Sequence, residues 1–236
     1  MKNFIGMLML FSAFLFTHNI QAKKIRMNIT PSQEIVTTGQ KHTVYLKIAL
    51  TGYDIEQEDR TPTNIAIVLD RSGSMNGLKI LRAKDAAIMA LDRLNTNDIA
   101  SVVTYASNVA VIQPATKIGD KSRIFRAIRS IYPSGSTALF AGVSKGASEV
   151  RKFLSRNRIN RVILLSDGRA NVGPKTPYEL GSLGHSLSRE GISVTTIGLG
   201  LGYNEDLMTT LARRSGGNHA FVENANDLAD IFQHEF

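Results

Sequence analysis

Short apolar segments alternate with helical segments along most of this 236-residue chain, and this alternation constrains the fold more than any other feature. The apolar segments are 65–69, 99–105, 111–112, 162–165, 192–197 and 220–222. Between them, residues 78–94, 139–154 and 177–190 have the apolar spacing or the small-residue composition of helices. Strands that alternate with helices form a mainly parallel sheet covered by helices on both faces. We therefore predict a doubly wound α/β fold with a six-stranded sheet for residues 61–236.

Capping residues mark the ends of the predicted helices. Asp120 and Asn204 each precede a helical segment, and Thr176 is followed by a proline, which is favoured at the first helical position. Gly191 supplies a stop signal for the helix that Thr176 begins. A last helix is predicted over residues 227–236.

The first 22 residues have the pattern of a secretory signal peptide. Lys2 is followed by an apolar run over residues 4–16, and a small residue, Ala22, precedes the predicted cleavage site. The apolar run is shorter than the ~20 residues that a membrane-spanning helix needs. A cleaved leader is therefore favoured over an uncleaved membrane anchor, and we expect an exported protein, periplasmic or extracellular.

Residues 23–60 predict a small β segment followed by a linker. Apolar side chains occupy every second position from Val44 to Leu50, which predicts a half-buried strand. Strands need pairing, and this segment has no obvious partner in the chain. We therefore expect the 236 residues to be a fragment, or a shortened relative, of a longer protein.

Basic residues exceed acidic ones by 28 to 20, which gives a formal net charge of +8. They cluster in residues 151–161, with the sequence RKFLSRNRINR, and at Arg123, Arg126 and Arg129. Solvated helix faces are the favoured interpretation, and attraction to an anionic envelope surface is the alternative. The main cluster has one aromatic residue, Phe153, rather than a stacking platform, so no nucleic-acid partner is expected.

Five oxygen-bearing side chains follow predicted strands or precede a predicted helix. The first predicted strand of the alternating region runs into Asp70, Ser72 and Ser74, whose side chains point the same way in an extended segment. Thr137 ends a loop rich in proline, glycine and serine, and Asp167 follows the 162–165 strand. Ligands bind at the carboxyl ends of parallel strands, so all five are expected on one rim. Oxygen-only sites suit Mg²⁺, Ca²⁺ or Mn²⁺, whereas scattered histidines and the absence of cysteine disfavour zinc.

The motifs DRSGS, GST and LLSDG, in this order on an alternating α/β chain, resemble the metal-ion-dependent adhesion site of the von Willebrand factor type A domain. The resemblance covers roughly residues 64–236 and implies a Rossmann-like fold. The segments TIGLGLGYNEDLM and SGGNHAF are similar to a bacterial secreted branch related to inter-α-trypsin inhibitor heavy chains. The resemblance implies that Ser72, Ser74 and Thr137 contact the metal directly. Asp70 and Asp167 would act largely through bound waters.

The resemblance implies metal-dependent protein binding rather than catalysis, with Mg²⁺ as the expected ion and Ca²⁺ or Mn²⁺ as alternatives. An Asp or Glu carboxylate of a partner protein would complete the coordination shell. In some relatives this ligation shifts the last helix, which is residues 227–236 here. Four basic residues near the predicted site either extend a positive rim for an acidic partner or form solvated surface. They are Arg71, Lys79, Arg82 and Arg169.

Three other functions are alternatives to metal-dependent binding. A metal-assisted hydrolase needs a general base beside the metal, and none is visible, since His219 is expected to be structural. A nucleotide site in residues 198–206 lacks the third glycine of the fingerprint, because Tyr203 stands in its place. A purely structural scaffold domain of a larger envelope protein stays open, and metal titration would distinguish it.

Overall fold

The computed structural model describes residues 26–32, 39, 41, 43–51, 60–200, 202–223 and 231. The chain divides into two compact units, Met1–Asp59 and Arg60–Phe236. The predicted leader lies outside the described residues, as does nearly all of the predicted last helix over 227–236.

The described residues of the first unit form two strands, β1 (Arg26–Pro31) and β2 (Leu46–Thr51), which pair antiparallel with each other. Each strand thus has its partner within the predicted β segment. The predicted half-burial is wrong, because every residue of both strands is exposed. A two-stranded ribbon buries little apolar surface without a second layer against it.

The second unit contains a six-stranded sheet in the order β5-β4-β3-β6-β7-β8. Its strands are β3 (Thr63–Asp70), β4 (Ile99–Tyr105), β5 (Val109–Lys117), β6 (Ile159–Ser166), β7 (Ser193–Leu199) and β8 (His219–Val222). All neighbouring pairs are parallel except β4 and β5, which are antiparallel. The predicted six-stranded, mainly parallel sheet is confirmed, and β3 lies near its centre between β4 and β6.

Helices cover both faces of this sheet, as predicted. They are α1 (Leu78–Asp92), α2 (Ser122–Arg129), α3 (Leu139–Arg151), α4 (Pro177–Arg189) and α5 (Glu205–Ser215). Successive strand side chains point to opposite faces. Ile65 and Ile67 of β3 accordingly pack into the core cluster that contains α1 and α2 residues. Ala66 and Val68 pack into the cluster that contains residues of α3, α4 and α5.

Side-chain caps mark the starts of helices at both ends of the sheet. The Thr176 hydroxyl accepts a hydrogen bond from the Glu179 amide, and the Glu179 carboxylate accepts one from the Thr176 amide, which completes a capping box. The Asn204 side chain accepts a bond from the Leu207 amide at the start of α5. Asp120 accepts a bond from the Ser122 amide, although α2 begins one residue later than a cap at Asp120 would place it.

Candidate functional site

Asp70 ends the central strand β3, and its carboxylate is fully buried. One oxygen, Oδ1, accepts a hydrogen bond from the Ser72 amide at 2.8 Å. The other, Oδ2, accepts bonds from the Ser166 hydroxyl at 2.6 Å and the Tyr105 hydroxyl at 3.1 Å. Burial raises the pKa of Asp70, and the hydrogen bonds from Ser166 and Ser72 offset only part of that effect. The carboxylate is therefore held in a fixed orientation by three neighbouring segments.

Ser72, Ser74 and Asp167 form a connected row of oxygen atoms. The two serine Oγ atoms are 3.1 Å apart, and Ser74 Oγ donates to Asp167 Oδ1 at 3.2 Å. The expectation of an extended backbone here is wrong, because Gly73–Met75 forms a short 3₁₀ helix that buries Met75. This tight turn, rather than strand geometry, brings the two hydroxyls together.

Thr137 is buried and joins the loop that follows Asp167 through its backbone. Its amide donates to Asn171 Oδ1 at 2.7 Å, and its carbonyl accepts bonds from the amides of Asn171 and Val172. Two residues earlier, the Gly135 carbonyl accepts a bond from the Gly73 amide at 2.9 Å. The Thr137 loop is therefore fixed against both of the other segments that carry predicted site residues.

Gly135 is required for this arrangement. Its φ of 76° lies in the left-handed region, and a Cβ atom there would approach Ser107 Oγ to 2.7 Å. Ser107 Oγ also accepts a hydrogen bond from the Ser136 amide at 2.9 Å. A larger residue would push the Thr137 loop away from the row of hydroxyls.

Basic side chains surround Asp167. Lys79 Nζ is 2.8 Å from Asp167 Oδ2, and Arg169 Nε is 4.0 Å from the same oxygen. Arg71 directly follows Asp70, as the sequence requires. Arg82 lies on α1, three residues after Lys79. Of Lys79 and Arg169, Lys79 therefore lies closer to the carboxylate of Asp167, which is a predicted metal ligand.

Three site residues were missed by the sequence argument. Tyr105 and Ser166 are the last residues of β4 and β6, the two neighbours of β3, and both donate to Asp70. Both are polar residues at the end of a buried strand, and this pattern could have indicated that they belong to the site. Asn171, which accepts from the Thr137 amide, carried no comparable signal beyond its place in a turn.

The donor set is compatible with a hard divalent cation. It combines two carboxylates with the hydroxyls of Ser72 and Ser74, whose Oγ atoms are 3.1 Å apart and able to rotate. Across the described part of the chain, no group of three or more His, Cys, Asp or Glu side chains is placed to hold a metal. Hydroxyl oxygens would therefore have to supply much of the coordination.

His219 has a structural role in the described region. Its Nδ1 is 2.8 Å from Thr196 Oγ1, and its Nε2 is 3.1 Å from the Tyr203 hydroxyl. Tyr203, which replaces the third glycine of a nucleotide fingerprint, stacks on His219 and Phe221. Both ring nitrogens are engaged, and burial lowers the pKa of His219.

The basic cluster over residues 151–161 lies at the opposite, amino end of the sheet, between α3 and the start of β6. Arg151 forms a bidentate pair with Glu190, and Lys152 pairs with Glu149. Part of the cluster's positive charge is therefore neutralised by neighbouring glutamates.

Comparison with known proteins identifies the family. The von Willebrand factor type A domain profile matches residues 64–234. The chain is 28% identical over 191 residues to the uncharacterized protein sll0103 of Synechocystis sp., covering 81% of this chain and 45% of that protein. It is 26% identical over 179 residues to the human inter-alpha-trypsin inhibitor heavy chain H3, covering 72% of this chain and 20% of that protein. The chain thus spans less than half the length of either relative.

A solved structure with the same fold is the von Willebrand factor type A protein from Catenulispora acidiphila. It superposes with a TM-score of 0.65 at 20% identity, over 92% of this chain and 50% of that chain. This likeness concerns the fold, whereas the profile match covers most of the sequence. Taken together with the doubly wound six-stranded sheet, the profile match establishes that this chain belongs to the von Willebrand factor type A domain family.

Proposed function

We propose that this chain is a protein-binding module that depends on a divalent metal ion. Domains of this family generally mediate interactions between proteins. The observation that carries the proposal is the connected row of oxygen atoms from Ser72 through Ser74 to Asp167, beside the buried carboxylate of Asp70.

The proposed ligands divide into two groups. Ser72, Ser74 and Thr137 would contact the ion directly, while Asp70 and Asp167 would act largely through bound waters. Mg²⁺ is the preferred ion, and Ca²⁺ or Mn²⁺ are alternatives. With mostly neutral direct ligands, the ion supplies a positively charged, open position for an Asp or Glu carboxylate of a partner protein.

Two alternatives stand against this proposal. A metal-assisted hydrolase would need a general base beside the ion, and the two ring nitrogens of His219 are already bonded to Thr196 and Tyr203. A purely structural scaffold would need no ion at all. Measured turnover would favour the first alternative, and a protein that binds no cation would favour the second.

We also propose that the protein is exported, because its first 22 residues have the pattern of a leader. No helix in the part of the chain that the structure describes is long and apolar enough to cross a membrane. Secretion of a fusion between residues 1–30 and a reporter enzyme would test the export signal directly.

Calorimetric titration of Mg²⁺, Ca²⁺ and Mn²⁺ into the protein tests the metal site. We expect saturable binding in the wild type and loss of binding in Asp70→Ala. Ser74→Ala is a second test, because Ser74 is only partly buried and its truncation leaves the core intact. Asp85→Ala removes an exposed carboxylate of α1 and is the matched control.

The proposal predicts that binding survives in Asp85→Ala and is lost or strongly weakened in the other two variants. Circular dichroism should show that all three variants are folded. Equal binding in the wild type and in Asp70→Ala would contradict the proposed ligands, and the absence of binding in the wild type would contradict the metal dependence.

A further inference from the structure

Three large apolar side chains near the proposed metal site are exposed. Leu78, Leu81 and Tyr132 are 65%, 52% and 76% exposed. Leu78 is the first residue of α1, three residues after the end of the turn that carries Ser74. Leu81 follows three residues later and lies on the same side of the helix. A strip of apolar surface therefore starts at the edge of the proposed site and runs along α1.

Tyr132 is held beside this strip. Lys84, three residues after Leu81, places its Nζ 5.6 Å from the centroid of the Tyr132 ring and donates to the Arg129 carbonyl at 2.9 Å. The same loop is fixed at its other end, because the Ser134 amide donates to the Arg71 carbonyl at 2.7 Å. Tyr132 thus lies between α1 and the residue that follows Asp70. We call the three apolar residues together with Lys84 the α1 strip.

The charges around the α1 strip are mainly positive. Arg71 donates to the Ser134 hydroxyl at 2.9 Å, and Lys84 donates to a backbone carbonyl, so neither of these bonds neutralises a cation with a carboxylate. Asp85 is the exposed acidic residue nearest in sequence on α1. A partner with net negative charge complements this surface.

The distance from the metal site to the α1 strip limits the spacing that a partner needs. Leu78 follows Ser74 by four positions, so their Cα atoms are at most about 14 Å apart. An extended polypeptide advances about 3.3 Å per residue, so about four residues cover even this upper limit. A partner that binds the ion with its carboxylate therefore reaches Leu78 and Leu81 with a side chain two to four positions away.

We infer that the partner is an extended acidic polypeptide segment with a large apolar side chain two to four residues from its metal-binding Asp or Glu. This inference rests on the proposed metal-dependent function and adds the chemistry that would select the partner. The carboxylate supplies the dependence on the ion, and the α1 strip supplies discrimination among acidic segments. Leu78, Leu81 and Tyr132 are the specificity-determining residues.

A phage-displayed library of random peptides, selected on the immobilised protein with Mg²⁺ and again with EDTA, tests this inference. We expect the Mg²⁺ selection to enrich peptides that pair an Asp or Glu with Leu, Ile, Phe or Tyr two to four residues away. One enriched peptide is then synthesised with a fluorophore, and its Kd is measured by anisotropy.

The double variant L78S/L81S should weaken the enriched peptide about tenfold or more, because it removes two apolar contacts. Y132S is a second variant, with a smaller expected loss. F153S/L154S is the matched control, since these side chains are 42% and 41% exposed at the opposite end of the sheet. Mg²⁺ titration should give the same affinity in all of these variants and the wild type.

The outcomes separate the inference from the function on which it rests. Mg²⁺-dependent peptides that lack the apolar residue, or an unchanged Kd in both L78S/L81S and Y132S, would overturn the α1 strip and leave the metal-dependent function standing. Peptides that bind equally in EDTA, or equally to Asp70→Ala, would overturn the proposed function. A selection that enriches no peptide would overturn the inference.

Discussion

The two ends of the central sheet both bury a carboxylate, yet they surround it with different partners. At the amino end, Asp98 precedes β4 and is fully buried. It accepts hydrogen bonds from the amides of Thr63 at 2.8 Å and Asn95 at 2.7 Å, from the Thr63 hydroxyl at 3.1 Å, and from the Arg60 guanidinium. Backbone amides in a sheet and a turn cannot change direction without unfolding.

At the carboxyl end, the equally buried Asp167 is bonded to groups that can move. Its side-chain partners are the Ser74 hydroxyl, which rotates, and the Lys79 ammonium on a flexible stem. Burial alone therefore does not distinguish the structural carboxylate of Asp98 from the proposed metal-site carboxylate of Asp167. Asp167 also accepts a bond from the Arg169 amide at 3.3 Å, but its two side-chain donors can turn away and release the carboxylate to a divalent cation.

The largest effect is expected for Asp98→Asn, which should lower the free energy of unfolding by about 3 kcal/mol, since it leaves Arg60 unpaired and aims an amide at backbone donors. Chemical denaturation would measure the loss. Asp92→Asn is the control, because Asp92 is 73% exposed and its contact with Lys121 is 3.9 Å long. It should change stability by less than about 0.5 kcal/mol. Similar losses in both variants would break the contrast between the two ends.

An intermediate effect is expected for Lys79→Met. Removal of the ammonium that pairs with Asp167 should raise the affinity for Mg²⁺ roughly five- to tenfold, since a competing positive charge is lost. Without metal, the same change should slightly lower the melting temperature.

Calorimetric titration would measure this affinity beside two controls. Lys79→Arg keeps the charge, and Lys84→Met removes an α1 lysine whose partner is the Arg129 carbonyl. Both should bind Mg²⁺ much as the wild type does. Weaker binding by Lys79→Met would show that the lysine supports the metal site instead of competing with the ion.

The smallest effect concerns the pH dependence of stability at the amino end. Burial tends to raise the pKa of Glu149, but hydrogen bonds from the Lys152 ammonium and the Ala115 amide outweigh it and hold the pKa below its ordinary 4.5. A carboxyl group with a lowered folded-state pKa stabilises the protein above its unfolded pKa, and this contribution is lost as the pH falls. The wild type should therefore lose stability below about pH 4.5.

Glu149→Gln should flatten this acid-side decline, which melting temperatures measured from pH 3 to pH 7 would reveal. Asp85→Asn, at an exposed position on α1, should leave the profile unchanged. If the melting temperature of Glu149→Gln falls as steeply at low pH as that of the wild type, other carboxylates cause the acid sensitivity.

Much of the fold followed from local sequence pattern, because each predicted strand and helix in the second unit carries its own apolar spacing. Asp70 and Asp167 were placed at one edge of the sheet from the topology of parallel strands alone. Their hydrogen-bond partners Tyr105 and Ser166 were not predicted, since a contact between strands depends on register, and no local pattern encodes register.

The edge of the sheet was predicted less well than its centre. The apolar pattern identified only residues 111–112, but β5 spans Val109–Lys117 and runs antiparallel to β4. Edge strands are partly solvated, so they lose the continuous apolar signal, and Gln113 and Pro114 interrupt it here. In the β1–β2 ribbon the apolar pattern predicted burial, but the strands are exposed. Alternating apolar residues indicate a buried face only where another layer covers that face.

The position of β3 between β4 and β6 has a consequence for the order of folding. Asp70 and its hydrogen-bond partner Ser166 are 96 residues apart in the chain. Bringing such distant segments together costs loop-closure entropy before any contact repays it, and parallel pairing of this kind is slow. The proposed cation site therefore forms late, and a chain still on the ribosome cannot hold an ion until Asp167 has emerged. Ion binding would then report that β3 and β6 have been synthesised and have paired.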